Sequence, residues 1–213
     1  MAIIVDKEQK KIDIALSCRE LFSKNSLSSI TMAQIAKTAG VGKGTLYEYF
    51  KSKEEIVFTL ANILLQEHSE KLQKALSSQK FMRDKVKKFS EIFYAKENLE
   101  LRALYKEFVS ISLSEPKEDL HAFQTACFNN YFLWFEDLFR EAVKNGELIG
   151  ASVGLTKGVF VTAKGMFIAS CTTNVFENLE KDLNDYIDNL FEIIEVDGYR
   201  EKLQNKEAEN AKF

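Results

Sequence analysis

Proline is almost absent from this chain. Pro116 is the only one in 213 residues, and there are nine glycines. An all-β fold needs many turns, and so few turn-formers disfavour one. No stretch approaches ~18 uninterrupted apolar residues, so no membrane span is expected. Met1 to Lys11 soon becomes charged and holds no apolar run of signal-peptide length. Cysteine is scarce and odd in number. Cys18, Cys127 and Cys171 lie far apart and match neither a zinc spacing nor a disulfide framework. That usage implies a reducing, cytoplasmic setting. The two histidines, His68 and His121, have no companions at metal-ligand or triad spacing. Glu54 and Glu55 read as helix N-terminal charges, not as an acid–base pair. A helical enzyme acting on an apolar substrate would need a convergent nucleophile or acid–base set, and none is legible. No cofactor, metal or catalytic residue is therefore expected.

The composition itself is that of a folded protein, with 46% hydrophobic and 29% charged residues. Net charge is −3, unevenly spread. Residues 1–55 carry nine Lys/Arg against seven Asp/Glu, and the remainder 20 against 25. The sign suits a chain whose front end alone meets phosphate. Apolar periodicity predicts helices over 7–24, 32–39, 42–49, from 52 to about 74, 81–96, 99–113, 117–145, 152–176 and 179–195. Helix 117–145 carries two apolar stripes, one through Leu120, Cys127, Tyr131 and Trp134, the other through Phe128, Phe132, Phe135 and Phe139. A helix apolar on so much of its girth belongs among other helices. The charged tail, 200–213, is expected to fray.

The most informative stretch is Thr31 to Ile56, TMAQIAKTAGVGKGTLYEYFKSKEEI. Thr31 and Gln34 form a capping box at the start of one short helix. Gly40 supplies the φ > 0 residue of a tight turn, and Val41 plugs the angle between helices. The second helix presents Lys43, Gly44, Thr45, Tyr47 and Tyr49, while Leu46 and Phe50 anchor its other side. Small and hydrogen-bonding groups suit a major groove, and a lysine reaches guanine acceptors or a phosphate. Ser52 with Glu55 reads as a second capping box. Lys53, in the first turn beyond, reads with the backbone N–H groups as a phosphate site, with Lys51 close by.

The spaced pattern T-x-x-x-I-A-x-x-A-G-V-x-K-G-T-L-Y-x-Y-F-K-S-K-E-E resembles the DNA-binding segment of the TetR family of bacterial transcriptional regulators. Upstream, Ile14 to Phe22 is similar to the family's first helix. The resemblance covers about residues 8–60. It implies that Thr31, Lys43, Thr45, Tyr47, Tyr49 and Lys53 face DNA. Two departures stand out. Ser26 replaces a frequent glycine, with Asn25 expected to take the left-handed conformation instead. Gly42 removes a possible side-chain contact.

The resemblance also implies an all-α fold. An N-terminal three-helix helix-turn-helix DNA-binding domain (1–55) precedes a C-terminal helical ligand-binding and dimerisation domain (56–213). Helices 152–176 and 179–195 would build a homodimer. They would do so through Gly154, Gly158, Ala163, Gly165 and Ala169, and through Leu183, Tyr186, Ile187, Leu190, Phe191 and Ile194. Residues 81–197 hold 18 aromatics in 117 positions. Phe89, Phe93, Tyr105, Phe108, Tyr131 and Trp134 are candidate walls of an effector pocket, and Gln124, Asn129, Asn130 and Glu107 candidate polar contacts. No basic cluster marks this half, so a mainly apolar small-molecule effector is expected. The resulting expectation is a ligand-responsive repressor on a palindromic double-stranded operator. An activator of the same family, or a helical interaction module without DNA binding, stands as the alternative.

Overall fold

The computed structural model of the chain describes residues 6–115 and 117–203. Ten α-helices run through them: α1 (Lys7–Ser17), α2 (Arg19–Lys24), α3 (Met32–Thr38), α4 (Lys43–Tyr49), α5 (Lys53–Ser77), α6 (Met82–Ser90), α7 (Leu99–Ser114), α8 (Glu118–Lys144), α9 (Ser152–Thr172) and α10 (Leu179–Ile194). Short 3₁₀ turns occupy Leu27–Ser29, Glu91–Phe93 and Lys96–Asn98. Among the described residues there is no strand, only one isolated bridge between Leu148 and Glu195. No helix among them is long and apolar enough to cross a membrane. From residue 204 onward the charged tail lies outside the described residues, and 199–203 form a helical turn rather than a frayed end.

The chain divides into two compact units. One comprises the residues up to Lys71 with Lys96–Gln124, the other Leu72–Ala95 with the residues from Thr125 on. In the first, α1 starts at Asp6, whose carboxylate accepts from the N–H groups of Glu8 (3.0 Å) and Gln9 (3.3 Å). The single helix expected over 7–24 is split at Cys18. The Ser17 hydroxyl bonds back to the Ile14 carbonyl at 2.7 Å, a local competitor that bends helices. Asn25 is extended (φ −134°, ψ 147°), not left-handed, and its amide donates to the Leu21 carbonyl instead. The core of this unit draws on every helix in it. Ile14, Cys18, Phe22, Leu27, Ile30, Ile35, Leu46 and Phe50 pack with Ile56, Leu60 and Leu64 of α5, Leu104 and Phe108 of α7, and Leu120 of α8. Phe58, Phe108 and Phe123 stack as a ring trio, 4.5–5.8 Å between centroids. The body that contains residues 6–55 therefore continues well past them.

The second unit packs α6, α9, α10 and the later turns of α8 around Phe89, Phe135, Phe139, Phe160, Phe191 and Ile194. Gly146, at φ +78°, ends α8. The Glu147 carboxylate next to it accepts the Met82 N–H at the start of α6. Arg83 on α6 reaches Glu192 (2.9 Å) and Glu195 (2.8 Å) at the end of α10. Four α10 residues expected at a dimer interface, Leu183, Ile187, Phe191 and Ile194, are at most 2% exposed and belong to this core. Their face of α10 is consumed within the chain. Cys171 is exposed near the end of α9, which stops at Thr172 and not at 176.

Candidate nucleic-acid interface

The capping box expected at Thr31 is formed. Its hydroxyl accepts the Gln34 N–H (3.3 Å) and the Gln34 side chain accepts the Thr31 N–H (2.8 Å). Gly40 has φ +65° and donates to the Lys37 carbonyl (3.3 Å), and Val41 donates to the Ala36 carbonyl (3.0 Å). These two bonds close α3 and turn the chain into α4. Gly42 is extended and supplies the first carbonyl of α4, which accepts the Leu46 N–H at 2.9 Å.

A seven-residue helix divides sharply between its two sides. Leu46 is fully buried, and Phe50 just beyond is 2% exposed. Lys43, Gly44, Thr45 and Tyr47 are exposed, with Tyr47 showing 49% of its surface. Tyr49 is half-buried against the core. Nothing lies within 4 Å of where a Cβ would stand on Gly44, so the backbone there is open to close approach. Thr31 is exposed as well. Lys37, Lys43 and Lys51 are exposed and enter no ion pair among the described residues. The result is an apolar-backed helix presenting hydroxyls, a phenol and ammonium groups outward. That is the chemistry that reads base edges and phosphates.

Lys53 stands apart. Its ammonium donates to the carbonyls of Leu27 (2.6 Å), Ser28 (3.2 Å) and Ile30 (2.9 Å). The start of α5, expected as an anion site, is served from within. Ser52 Oγ accepts the Glu55 N–H (3.3 Å), and the Glu55 carboxylate accepts from Lys51 (2.7 Å), one residue before the position a capping box uses. Burial pushes the Glu54 carboxyl up. Hydrogen bonds from its own N–H, from Lys117 and from Ser52 outweigh that and hold it below the usual carboxylate range.

Residues 17–60 match the family described as bacterial regulatory proteins, tetR family. That segment belongs to the family, and the chain is accordingly a DNA-binding regulator of transcription. It is 27% identical over 135 residues to the HTH-type transcriptional regulator QacR of Staphylococcus aureus, covering 61% of this chain and 68% of that one. It is 22% identical over 201 residues to the fatty acid metabolism regulator protein of Bacillus subtilis, covering 92% and 98%. A transcriptional regulator from Saccharomonospora viridis, solved in complex with choline, superposes with a TM-score of 0.72 at 12% identity, over 89% and 99% of the two chains.

The six aromatic candidates for the effector site do not form one group. Phe89, Tyr131 and Trp134 meet in the second unit, with Phe89 6.0 Å and 5.5 Å from the other two rings. Phe93 lies against Phe167 at 5.8 Å. Phe108 is in the ring trio of the first unit, to which Tyr105 also belongs. Around Phe89, Phe93, Phe135 and Phe160 there is a recess with room for only about one water molecule. Phe89, Phe93, Phe135 and Phe160 thus leave that recess nearly closed. Two of the candidate polar contacts are otherwise engaged. Gln124 donates to Ser112 (2.6 Å), and Glu107 accepts the Leu27 N–H at 2.7 Å.

Lys164 of α9 also points into the aromatic core of the second unit. Its ammonium sits 4.9 Å and 5.6 Å over the rings of Phe128 and Phe160, and burial lowers its pKa. One lysine in a helix rich in small residues carries no sequence signal of burial. Burial likewise raises the neighbouring Cys127 thiol, which disfavours a reactive thiolate.

Proposed function

We propose that the protein is a homodimeric, ligand-responsive repressor of transcription, acting in the cytoplasm on a palindromic operator. The carrying observation is the two-sidedness of α4, with Leu46 buried and Lys43, Gly44, Thr45 and Tyr47 exposed behind a glycine-closed turn. Two copies of α4 enter successive major grooves, about 34–36 Å apart. Thr31, Lys43, Thr45, Tyr47 and Tyr49 supply the contacts to bases and phosphates.

Dimerisation is supported by α9. Gly154, Gly158, Val161 and Gly165 recur at helical spacing along one exposed side, with Leu155 44% and Val161 49% exposed. Nothing lies within 4 Å of a Cβ placed on any of the three glycines. Each glycine weakens the helix by about 1 kcal/mol relative to alanine. Within one chain that loss is uncompensated, whereas a second backbone approaching the same side uses the space. On α10, Ile193 is also 73% exposed.

A small, mainly apolar effector enters among the rings of the second unit, and the recess at Phe89 and Phe160 widens to admit it. The Saccharomonospora viridis regulator with bound choline supports a small-molecule effector for a fold of this kind. The effector favours a dimer whose recognition helices are wrongly spaced. A coupling of about 3 kcal/mol would weaken operator affinity about 150-fold. A duplex selected by the wild-type protein from a random pool provides the operator. Fluorescence anisotropy on it should show at least a roughly tenfold loss of affinity for Tyr47→Ala and for Thr45→Ala. Unchanged affinity in both would sink the proposed docking.

A further inference from the structure

Given the DNA-reading role proposed above, on which this rests, we infer that Lys53 and Glu107 are positioning residues. Together they clamp the turn at residues 27–30, which delivers Thr31 and α3 to DNA. Lys53 is thereby not a phosphate contact.

The turn is a single 3₁₀ segment, Leu27–Ser29, preceded by Ser26, whose side chain does not cap it. Leu27 is its first residue, so its N–H has no acceptor within the turn. The Glu107 carboxylate, brought by α7 from 80 residues away, takes that N–H at 2.7 Å. At the other end the carbonyls of Leu27, Ser28 and Ile30 converge on the Lys53 ammonium, brought by the first residue of α5. An ammonium has three N–H donors, and here all three are used. The charges also fall with the right sign, the carboxylate at the N–H end of the turn and the ammonium at the C=O end. Leu27 and Ile30 are buried, which anchors the turn to the core between the two polar grips. Thr31 follows Ile30 directly and opens the capping box of α3. The turn has no freedom to shift without shifting Thr31.

To reach a phosphate, the Lys53 ammonium would have to release three carbonyls at once. The N-terminus of α5 offers it little help there, since Glu54 bonds its own N–H and Ser52 holds that of Glu55. Lys37, Lys43 and Lys51 are exposed here and enter no ion pair among the described residues.

The two roles predict different responses to salt. Losing one phosphate contact lowers the slope of log affinity against log salt by about 0.9 per contact. Losing a positioning contact lowers affinity and leaves the slope alone. The experiment uses the full-length protein and the duplex it selects from a random pool, with anisotropy titrations from 50 to 300 mM KCl. Lys53→Met should weaken binding at least about tenfold with the slope unchanged.

Lys53→Arg keeps the charge and the reach to a phosphate, but its planar fork cannot present three donors from one nitrogen. It should weaken binding too. Glu107→Ala removes a negative charge, which by long-range electrostatics alone would tighten binding to DNA, and it should instead weaken binding. A slope reduced by about 0.9 per protomer in Lys53→Met would overturn the inference. Wild-type affinity in Lys53→Arg would do the same, as would unchanged or tighter binding by Glu107→Ala. If Lys53→Met does not fold, the other two variants decide. Failure of the wild-type protein to select any duplex would instead strike the DNA-reading proposal itself.

Discussion

His68 lies in α5 with 9% of its surface exposed, and burial, aided by the positive charge of Lys71, lowers its pKa to about 4. In the unfolded chain a histidine titrates near 6.5. Between those values the unfolded chain binds a proton that the folded one does not. The contribution of His68 to stability is thus full above about pH 6.5 and is lost as pH falls toward 4. From pH 7 to pH 5 the loss amounts to at most about 2 kcal/mol. Glu147 acts in the opposite sense. Burial raises its pKa, so its contribution fades as pH climbs above the ordinary carboxylate value. Comparing one variant with the wild type cancels Glu147 and every other shared group. Urea unfolding should show a drop between pH 7 and pH 5 that is smaller in His68→Leu by about that amount. Parallel curves for the two proteins would show that His68 is not buried neutral.

Residues differ in how far their roles could be read from sequence. Thr31 and Gly40 were legible because a cap and a left-handed turn are set by neighbours three or four positions away. Lys53 was not, because the carbonyls it holds lie 23 to 26 residues earlier in the chain.

At the scale of elements, long amphipathic segments announced themselves. Helices α7, α8 and α10 begin and end within a residue or two of the periodic pattern. Interruptions did not, since the apolar periodicity runs through the break at Cys18 unchanged. What covers the apolar side of α10 was also illegible, since periodicity marks that side without saying whether its own core or a second chain packs on it. Helix α9 offers a test whose sign is informative. Gly158→Ala adds a methyl where nothing in the chain lies within 4 Å. On a bare helix face the change would stabilise the protein by roughly 0.5–1 kcal/mol. Against a second backbone it crowds the contact and weakens the dimer. Sedimentation equilibrium should show looser association for Gly158→Ala, and Gly158→Leu should leave mostly monomer. Dimerisation unaffected by either substitution would remove α9 from the interface.

For the whole molecule, the motif drew a boundary at residue 55 that packing does not respect. Of the 18 buried residues in the first core, eight lie beyond it: Ile56, Val57, Leu60, Ala61, Leu64, Leu104, Phe108 and Leu120. Polar links follow the same route, with Arg19 bound bidentately to Glu100, Leu27 to Glu107, and Glu54 to Lys117. None of these pairings has a signature in sequence spacing, so α7 looked like part of the sensing half. A chain of about 55 residues is already marginal for independent stability. Deprived of those eight side chains, it would expose Phe22, Leu27, Ile35, Leu46 and Phe50 to water. Each such side chain costs about 1.5–3 kcal/mol when left exposed, several times the few kcal/mol by which a domain is stable. A peptide of residues 1–55 should therefore show weak helicity and no cooperative thermal transition by circular dichroism. A cooperative melt of that peptide would mean that the reading head folds without α5 and α7, and that their contacts with it serve something other than its stability.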